Sequence, residues 1–405
     1  MLSLLAWRNI WRNRRRSLIT MASVLFAVFF AVFLRSMQIG TYDNMIENVV
    51  GYYSGYIQVH KQGYWKEQII DHSVEYSDSL LTYFDQIDGV TQAQPRLESF
   101  ALGAYQNATK GLMVNGIVPE KEDVMMNLSE QLIAGEYIQS DDKAVILSSG
   151  AADYLKLGVG DSLILLSQGY RGVSAIGLYP VRGIVELKSP LLNNNTVFMP
   201  LAEAQWFYGA EGRITSYVFL LDGNRDTEDV QQTIQQTLDT TQYEVMDWTE
   251  MMPELVQAIE ADSTGGQLML FILYMIITFG IFGTVLMMTA ERIHEFGILL
   301  SVGMSRLKLG ITLVMETVFL AVNGVIAGMI AVTPLVLYFH YNPLRFSGGA
   351  REAFEEFGFE PILPASVDPS IWLTHAWIIL IIAAVISFYP MYVVFRLKPI
   401  DAMRK

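Results

Sequence analysis

The sequence predicts an α-helical membrane domain of four transmembrane helices, one plus three, with a large α+β extracytoplasmic domain inserted between the first and second. Three observations lead there. Long apolar runs occupy residues 18–34, 268–290, 311–337 and 371–395. A polar block, residues 36–265, separates the first run from the rest. Finally, basic charge collects at the two ends of the chain and acidic charge in that block.

The first run holds 17 residues without a charge, at the short end of the roughly 17 to 25 that cross a hydrocarbon core. The second holds 23 uncharged residues, the third 27 interrupted only by Glu316, and the fourth 25 with His375 as its only ionisable group. Four helices are the economical reading, because in lipid a helix satisfies its own backbone polar groups. The first run is expected to be retained. It is longer than the roughly 7 to 15 apolar residues of a cleaved signal, and no small-x-small site follows it before the polar block.

Charge orients the chain. Arg8, Arg12, Arg14, Arg15 and Arg16 precede the first run with no acid among them, and Arg396, Lys398, Arg404 and Lys405 outnumber Asp401 at the other end. Both ends are therefore expected in the cytoplasm. Residues 36–265 carry 12 Lys/Arg against 32 Asp/Glu, which more than accounts for the formal charge of −14. With four spans this acidic arm is expected outside. Such a surface is a poor partner for nucleic acid. The expected layout is an amphipathic helix at 1–17, spans at 18–35, 266–290, 309–338 and 371–395, the arm at 36–265, a cytoplasmic link at 291–308, an outer loop at 339–370 and a cytoplasmic tail at 396–405.

Within the arm, residues 52–60 alternate like a strand and 77–88 have helical spacing. Residues 144–148, 162–166, 181–185, 196–199 and 216–221 read as strands, and 150–157, 201–208 and 227–238 as helices. Residues 250–267 read as a helix running into the second span. The glycines of Gly158-Val-Gly160 suit a turn, and no third glycine or Lys-Ser/Thr follows to make a phosphate loop. No histidine pair has metal-binding helical spacing, and no G-x-S-x-G elbow, Walker lysine or catalytic carboxylate pair can be found. The absence of cysteine removes any disulfide framework. An enzyme or sensor housed in the arm is disfavoured by this lack of chemistry.

The link Glu291-Arg-Ile-His-Glu-Phe-Gly-Ile-Leu-Leu-Ser-Val-Gly-Met-Ser-Arg306 is too apolar for a solvated loop. As a helix it groups Ile293, Phe296, Leu299 and Leu300 on one face, with Glu291 and Glu295 on an acidic edge. Such a helix either lies on the inner membrane surface or docks into a groove of a soluble partner. Residues 291–305 resemble the E-R-x-x-E-I-G-I-L-R-A-I-G-A-S stretch of the MacB/FtsX/LolCE-type ABC permeases. Ala6-Trp-Arg-Asn-Ile-Trp-Arg-Asn-Arg-Arg-Arg-Ser17 is similar to that family's opening amphipathic helix. Tyr389-Pro390 and Lys398-Pro-Ile-Asp-Ala-Met-Arg404 resemble its closing signatures. The chain departs in Phe296 for the usual Ile, Leu300 for Arg and Met403 for Leu.

The resemblance implies a mechanotransmission-type permease subunit that is not catalytic by itself and binds no cofactor directly. It would pair with a second permease, identical or paralogous, and with a cytoplasmic ABC ATPase dimer on separate polypeptides, which carries ATP and Mg. Glu291, Arg292, Glu295, Phe296, Gly297, Ile298, Leu299, Leu300, Gly303 and Met304 would form the ATPase-coupling helix. Aspartate at Phe296 and Gly297 would then uncouple hydrolysis without unfolding the chain. The start of the arm, Ser54 to His60, looks closest to the lipoprotein-releasing branch. MacB-like efflux and FtsX-like signalling to a cell-wall hydrolase are the alternatives. Membrane lipids and lipoproteins, or a periplasmic partner, complete the expected contacts.

Within the third run, Glu316 is expected to snorkel to the interface, five residues from Ile311, although an intramembrane acid is a functional suspect by default. Asn323, Gly324 and Gly328 offer a small-residue face as a dimer seam.

Overall fold

The computed structural model describes residues 2–12, 14–221, 223, 227–349, 351, 354 and 361–398. The end of the closing signature, from Pro399 on, and part of the 339–370 loop therefore lie outside the described residues. The chain forms two compact units. One comprises Met1–Asp43, Ala258–Arg345 and Ile362–Lys405, and the other Asn44–Gln257 with Phe346–Pro361.

In chain order, α1 (Leu2–Arg12) and α2 (Arg14–Ile46) come first, and a π-helical segment, Glu47–Ser54, follows. Next come β1 (Ile57–Lys61), α3 (Tyr64–Glu67), β2 (Val74–Glu75), α4 (Asp78–Phe84), β3 (Val90–Tyr105), β4 (Ala108–Ile117), α5 (Pro119–Met126) and β5 (Leu132–Gly135). Then follow β6 (Val145–Ser148), α6 (Ser149–Leu155), β7 (Ser162–Gln168), β8 (Ser174–Val185), α7 (Pro190–Asn195), β9 (Thr196–Pro200) and α8 (Leu201–Phe207). The α+β unit continues with β10 (Arg213–Ile214), β11 (Ser216–Leu221), α9 (Thr227–Thr237), β12 (Tyr243–Asp247) and α10 (Trp248–Met251). The remaining elements are α11 (Pro253–Glu291), α12 (Ile293–Ser301), α13 (Arg306–Tyr341), the pair β13 (Leu344–Arg345) and β14 (Ile362–Leu363), and α14 (Pro369–Arg396).

The helices long and apolar enough to cross a membrane are Arg14–Ser54, Pro253–Glu291, Arg306–Tyr341 and Pro369–Arg396. All extend beyond the apolar runs read from sequence. Residues 250–267 split between α10 and α11 at Met252, after a capping box in which the Asp247 carboxylate and Glu250 backbone N–H, and the Glu250 side chain and Asp247 N–H, bond reciprocally.

In the helical unit, Val24, Val28 and Val32 of α2 pack with Ile277, Ile281 and Val285 of α11, Val325 and Val332 of α13, and Ile379 and Ile386 of α14. This overturns the expected dimer seam. A Cβ at Gly324 would lie 2.6 Å from Val24 Cβ, and one at Gly328 would lie 2.8 Å from both the Leu25 carbonyl oxygen and Val28 Cβ. The glycines let α13 approach α2 within one chain, so their face is already filled. Asn323 donates to the Phe319 carbonyl, 2.7 Å, on its own helix.

In the α+β unit, ten strands pair in one sheet. Strand β3 pairs with β4 and β7, β4 with β9, β9 with β6, β6 with β8, and β8 with β7. That circuit closes on itself as a small six-stranded barrel, which leaves no edge among its members. Leu97, Leu112, Val145, Leu163, Leu165, Tyr179, Val197 and Met199 fill a core cluster there, sealed by Leu155 of α6 and Phe207 of α8. The first half of β3 leaves the barrel to pair with β11, which continues to β1 and β12.

The long β3–β4 hairpin has no clear signal in the sequence. Its two-residue turn uses Gln106, at φ +50°, in place of the glycine that usually marks such a turn. Residues 52–60 are not one strand. Tyr52 to Ser54 are helical, and Gly55 turns at φ +73° with a Cβ position 2.5 Å from Val218 Cγ1. Alternation across a helix–strand junction imitates a continuous strand.

Two buried polar sites fix this unit. Arg96, fully buried, bonds through Nε to Glu122 Oε2 at 3.0 Å and through Nη1 to the Tyr53 carbonyl at 2.6 Å. Gln94 donates to the same Glu122 oxygen at 3.0 Å. His60 stacks on Tyr64 and lies tilted against Trp65, ring centroids 5.1 and 5.5 Å away, with Nε2 2.7 Å from Gln58 Oε1 and Nδ1 without a hydrogen-bond partner among the described residues. Burial lowers the His60 pKa to about 3. The unfolded chain, with an imidazole near about pH 6.5, then binds a proton that the folded chain refuses, so stability falls as pH drops through that window. Thermal unfolding of the full chain should lose midpoint temperature as pH falls from about 6.5 toward about 3. His60→Phe should flatten that slope; an unchanged slope would remove His60 from the acid response.

Candidate functional site: the link between α11 and α13

Helix α11 continues unbroken through the second apolar run and ends at Glu291, where the link turns back toward α13. Arg292 is the N-cap of α12, and its carbonyl accepts from the Phe296 backbone N–H at 2.9 Å. At the other end Gly303 adopts φ +102°, where an L side chain is strained. The Met304 N–H donates to the Leu299 carbonyl and the Gly303 N–H to that of Leu300, at 3.0 and 3.2 Å. This is a Schellman ending, and the Ser305 hydroxyl then caps α13 by accepting from the Lys308 N–H at 3.4 Å. The glycine is thus a turn residue.

The expected coupling residues divide into an inner and an outer set. Arg292 points inward and donates through Nη1 to both carboxylate oxygens of Glu316, at 2.7 and 2.8 Å. Glu316 is only 3% exposed. It does not snorkel to the surface as expected, because a guanidinium from the link comes in to meet it. Phe296, 1% exposed, packs with Leu309 and Leu313 of α13 and Val394 of α14, and Leu300, Met304 and Leu397 close over that cluster. Gly297 is also buried. Phe296 and Gly297 therefore cannot be docking residues, and aspartate there would disrupt packing rather than report on a partner.

The outer set is exposed. Ile298 is 44% exposed and Leu299 41%, and Val302 and Leu307, which the expected set did not include, are open as well at 83% and 54%. An apolar edge of this kind on an otherwise anchored helix is suited to burial against another protein.

An ionic band holds the link to the start of the chain. Arg12 donates to Glu295 Oε2 at 2.5 Å, Arg292 Nε reaches the same oxygen at 3.3 Å, and Arg16 pairs with Glu291. Burial alone would raise the Glu295 carboxyl, but the hydrogen bonds and charges of Arg12 and Arg292 hold it below its usual range. Ile10 of α1 packs with Met288 and Leu320, and its carbonyl accepts from the Ser17 hydroxyl at 2.8 Å. On the far side, Arg306 donates to the carbonyls of Phe395 and Leu397, at 2.8 and 3.1 Å, and so caps the end of α14.

Sequence reasoning missed Arg12, Arg16, Val302 and Arg306. The first two were legible in principle, since Glu291 and Glu295 have the same four-residue spacing as Arg12 and Arg16. Among the described residues no cluster of His, Asp and Glu is arranged to hold a metal ion.

Arg292→Leu alone should strand a buried carboxylate and destabilise the chain by about 3–5 kcal/mol, whereas Arg292→Leu with Glu316→Leu should recover most of that loss. Thermal unfolding of both variants in detergent checks this; equal stability of the two would mean the pair is not coupled.

The MacB-like periplasmic core domain model matches residues 17–237, and the FtsX-like permease C-terminal model matches residues 268–399. The chain is 21% identical over 340 residues to the lipoprotein-releasing system transmembrane protein LolC of Neisseria meningitidis serogroup B, covering 80% of this chain and 81% of that protein. It is also similar to the crystal structure of the periplasmic region of MacB from Actinobacillus actinomycetemcomitans, at 13% identity and TM-score 0.37, over 53% of this chain and 97% of that one. The extracellular domain of the ABC-type transporter YknZ from Gram-positive bacteria matches at 13% identity and TM-score 0.33, over 47% and 99%. The first model spans more than half of the sequence and the second covers most of the remaining helices, so the chain belongs to the MacB-like and FtsX-like family of ABC transporter permeases.

Proposed function

We propose that this chain is the non-catalytic permease subunit of an ATP-driven transporter and that it releases lipoproteins from the inner membrane. The observation that carries the coupling half of this reading is the division of α12. Its inner side is bonded to α13 and packed against α14, while its outer side presents Ile298, Leu299 and Val302. A separate cytoplasmic ATPase dimer, holding ATP and Mg, would bury that outer edge. A second permease copy, identical or paralogous, would complete the complex.

Both termini then lie in the cytoplasm and the α+β unit in the periplasm, following the basic ends and the acidic arm. A push on the outer edge of α12 is delivered through Arg292 to Glu316 and through Phe296 to Leu313 and Val394, so α13 and α14 move with the link. The helix that ends at this link, α11, begins at Pro253, which offers a route by which the arm follows. The lipoprotein half of the reading rests on the similarity to the protein named as the transmembrane component of a lipoprotein-releasing system.

Ile298→Asp with Val302→Asp should abolish co-purification of the ATPase. The permease's own thermal unfolding should stay within about 0.5 kcal/mol, as for surface changes elsewhere. Phe296→Asp should instead unfold the helical unit. If the double variant retains the ATPase and its stimulated hydrolysis, the outer edge of α12 is not the docking surface.

A further inference from the structure

The α+β unit contains a cavity of about 290 Å³ where the π-helical segment Glu47–Ser54 meets the end of α5 and the sheet. It takes no part in the coupling route described above. Its size is close to the lower bound of the roughly 300–1,000 Å³ of small-molecule sites. Glu47 and Tyr56 reach it from the π-helical segment and its exit, Asn127 from the end of α5, Lys188 from the stretch after β8, and Leu220 from β11. Turns of π-helix are rare and recur at functional sites. Here Gly51, inside the π-helical segment, makes room for the Tyr56 hydroxyl, which would lie 3.2 Å from a Cβ at that position.

The two charged groups of the cavity do not pair with each other. Lys188 Nζ lies over the face of Tyr52, 5.3 Å from the ring centroid, and among the described residues neither Lys188 nor Glu47 has an ion-pair partner. The exposed Asn127 amide likewise makes no side-chain hydrogen bond among the described residues. A carboxylate, an ammonium and an amide brought to one cavity by three elements suit a ligand that carries both signs of charge. A simple anion would face the Glu47 carboxylate, and a simple cation the Lys188 ammonium. The Tyr52 ring and Leu220 offer an apolar wall to a short carbon skeleton. We infer that this cavity binds a small soluble zwitterion, an α-amino acid or short peptide, with its ammonium on Glu47, its carboxylate on Lys188 and the Asn127 amide beside it. The inference rests on neither the ATPase partner nor the lipoprotein reading.

The full chain in detergent is mixed with the common L-amino acids and with dialanine, and saturation transfer to each is read by ligand-observed NMR. At least one of these probes is expected to receive saturation. Glu47→Gln with Lys188→Met, both at exposed positions, should remove it while the thermal midpoint of the chain stays unchanged. For the tightest probe, acetylating the amine or amidating the carboxylate should each weaken binding by about tenfold or more, the loss of one charged hydrogen bond. The single variants assign the two ends. Glu47→Gln should no longer distinguish the free amine from its acetylated form, and Lys188→Met should no longer distinguish the free carboxylate from its amide. Absence of saturation transfer to every probe, or transfer that survives the double variant, overturns the proposal. So does tighter binding of phosphoethanolamine than of any amino acid, which would assign the cavity to a lipid headgroup.

Discussion

The bidentate contact between Arg292 and Glu316 is the constraint on which the helical unit depends. An isolated carboxylate inside an apolar helix pair would be strongly disfavoured, and an isolated guanidinium nearly as much. Together, at 2.7 and 2.8 Å, they satisfy each other, and they do so only when the link folds back against α13 in one position. Replacing such a pair with apolar groups is often neutral in stability. Its contribution here is positional, because the same arginine also reaches Glu295, which Arg12 holds from the other side.

Around that pair the link is fixed at every exit. Gly303 closes α12 in a conformation that a side chain would strain, Ser305 caps α13, and Arg306 ties the turn to the last carbonyls of α14. What remains free is an apolar edge. A helix anchored on one side and open on the other suits the coupling role proposed above. The α+β unit obeys a similar logic on a larger scale. Its barrel closes the strand circuit, and Arg96 with Glu122 pins β3 to α5.

Much of the layout could be read directly. The lengths of the apolar runs and their separation identify the long helices, and the short strands at residues 145–148, 196–199 and 216–221 announce themselves through β-branched and aromatic density. The β3–β4 hairpin does not, because its turn lacks glycine and its strands carry Gln, Glu and Arg at positions that alternate between core and network. Gly324 and Gly328 are legible as a close-packing face, but nothing local says whether the approaching helix belongs to the same chain. The link between α11 and α13 is found by its amphipathic pattern and its resemblance to a family stretch. That pattern places Phe296 and Leu299 on one face, and only the position of α14 separates them, burying Phe296 and leaving Leu299 open.

The sequence by itself determined which segments are apolar enough to cross a membrane, which block is acidic and where the link lies, because these follow from composition and period along the chain. Tertiary structure decided which partner each charge meets. Glu316 and Arg292 are 24 positions apart, and Arg12 lies 283 positions from Glu295. No local pattern encodes such pairings; they arise when the helices pack, where a buried charge is stable only if an opposite one arrives beside it.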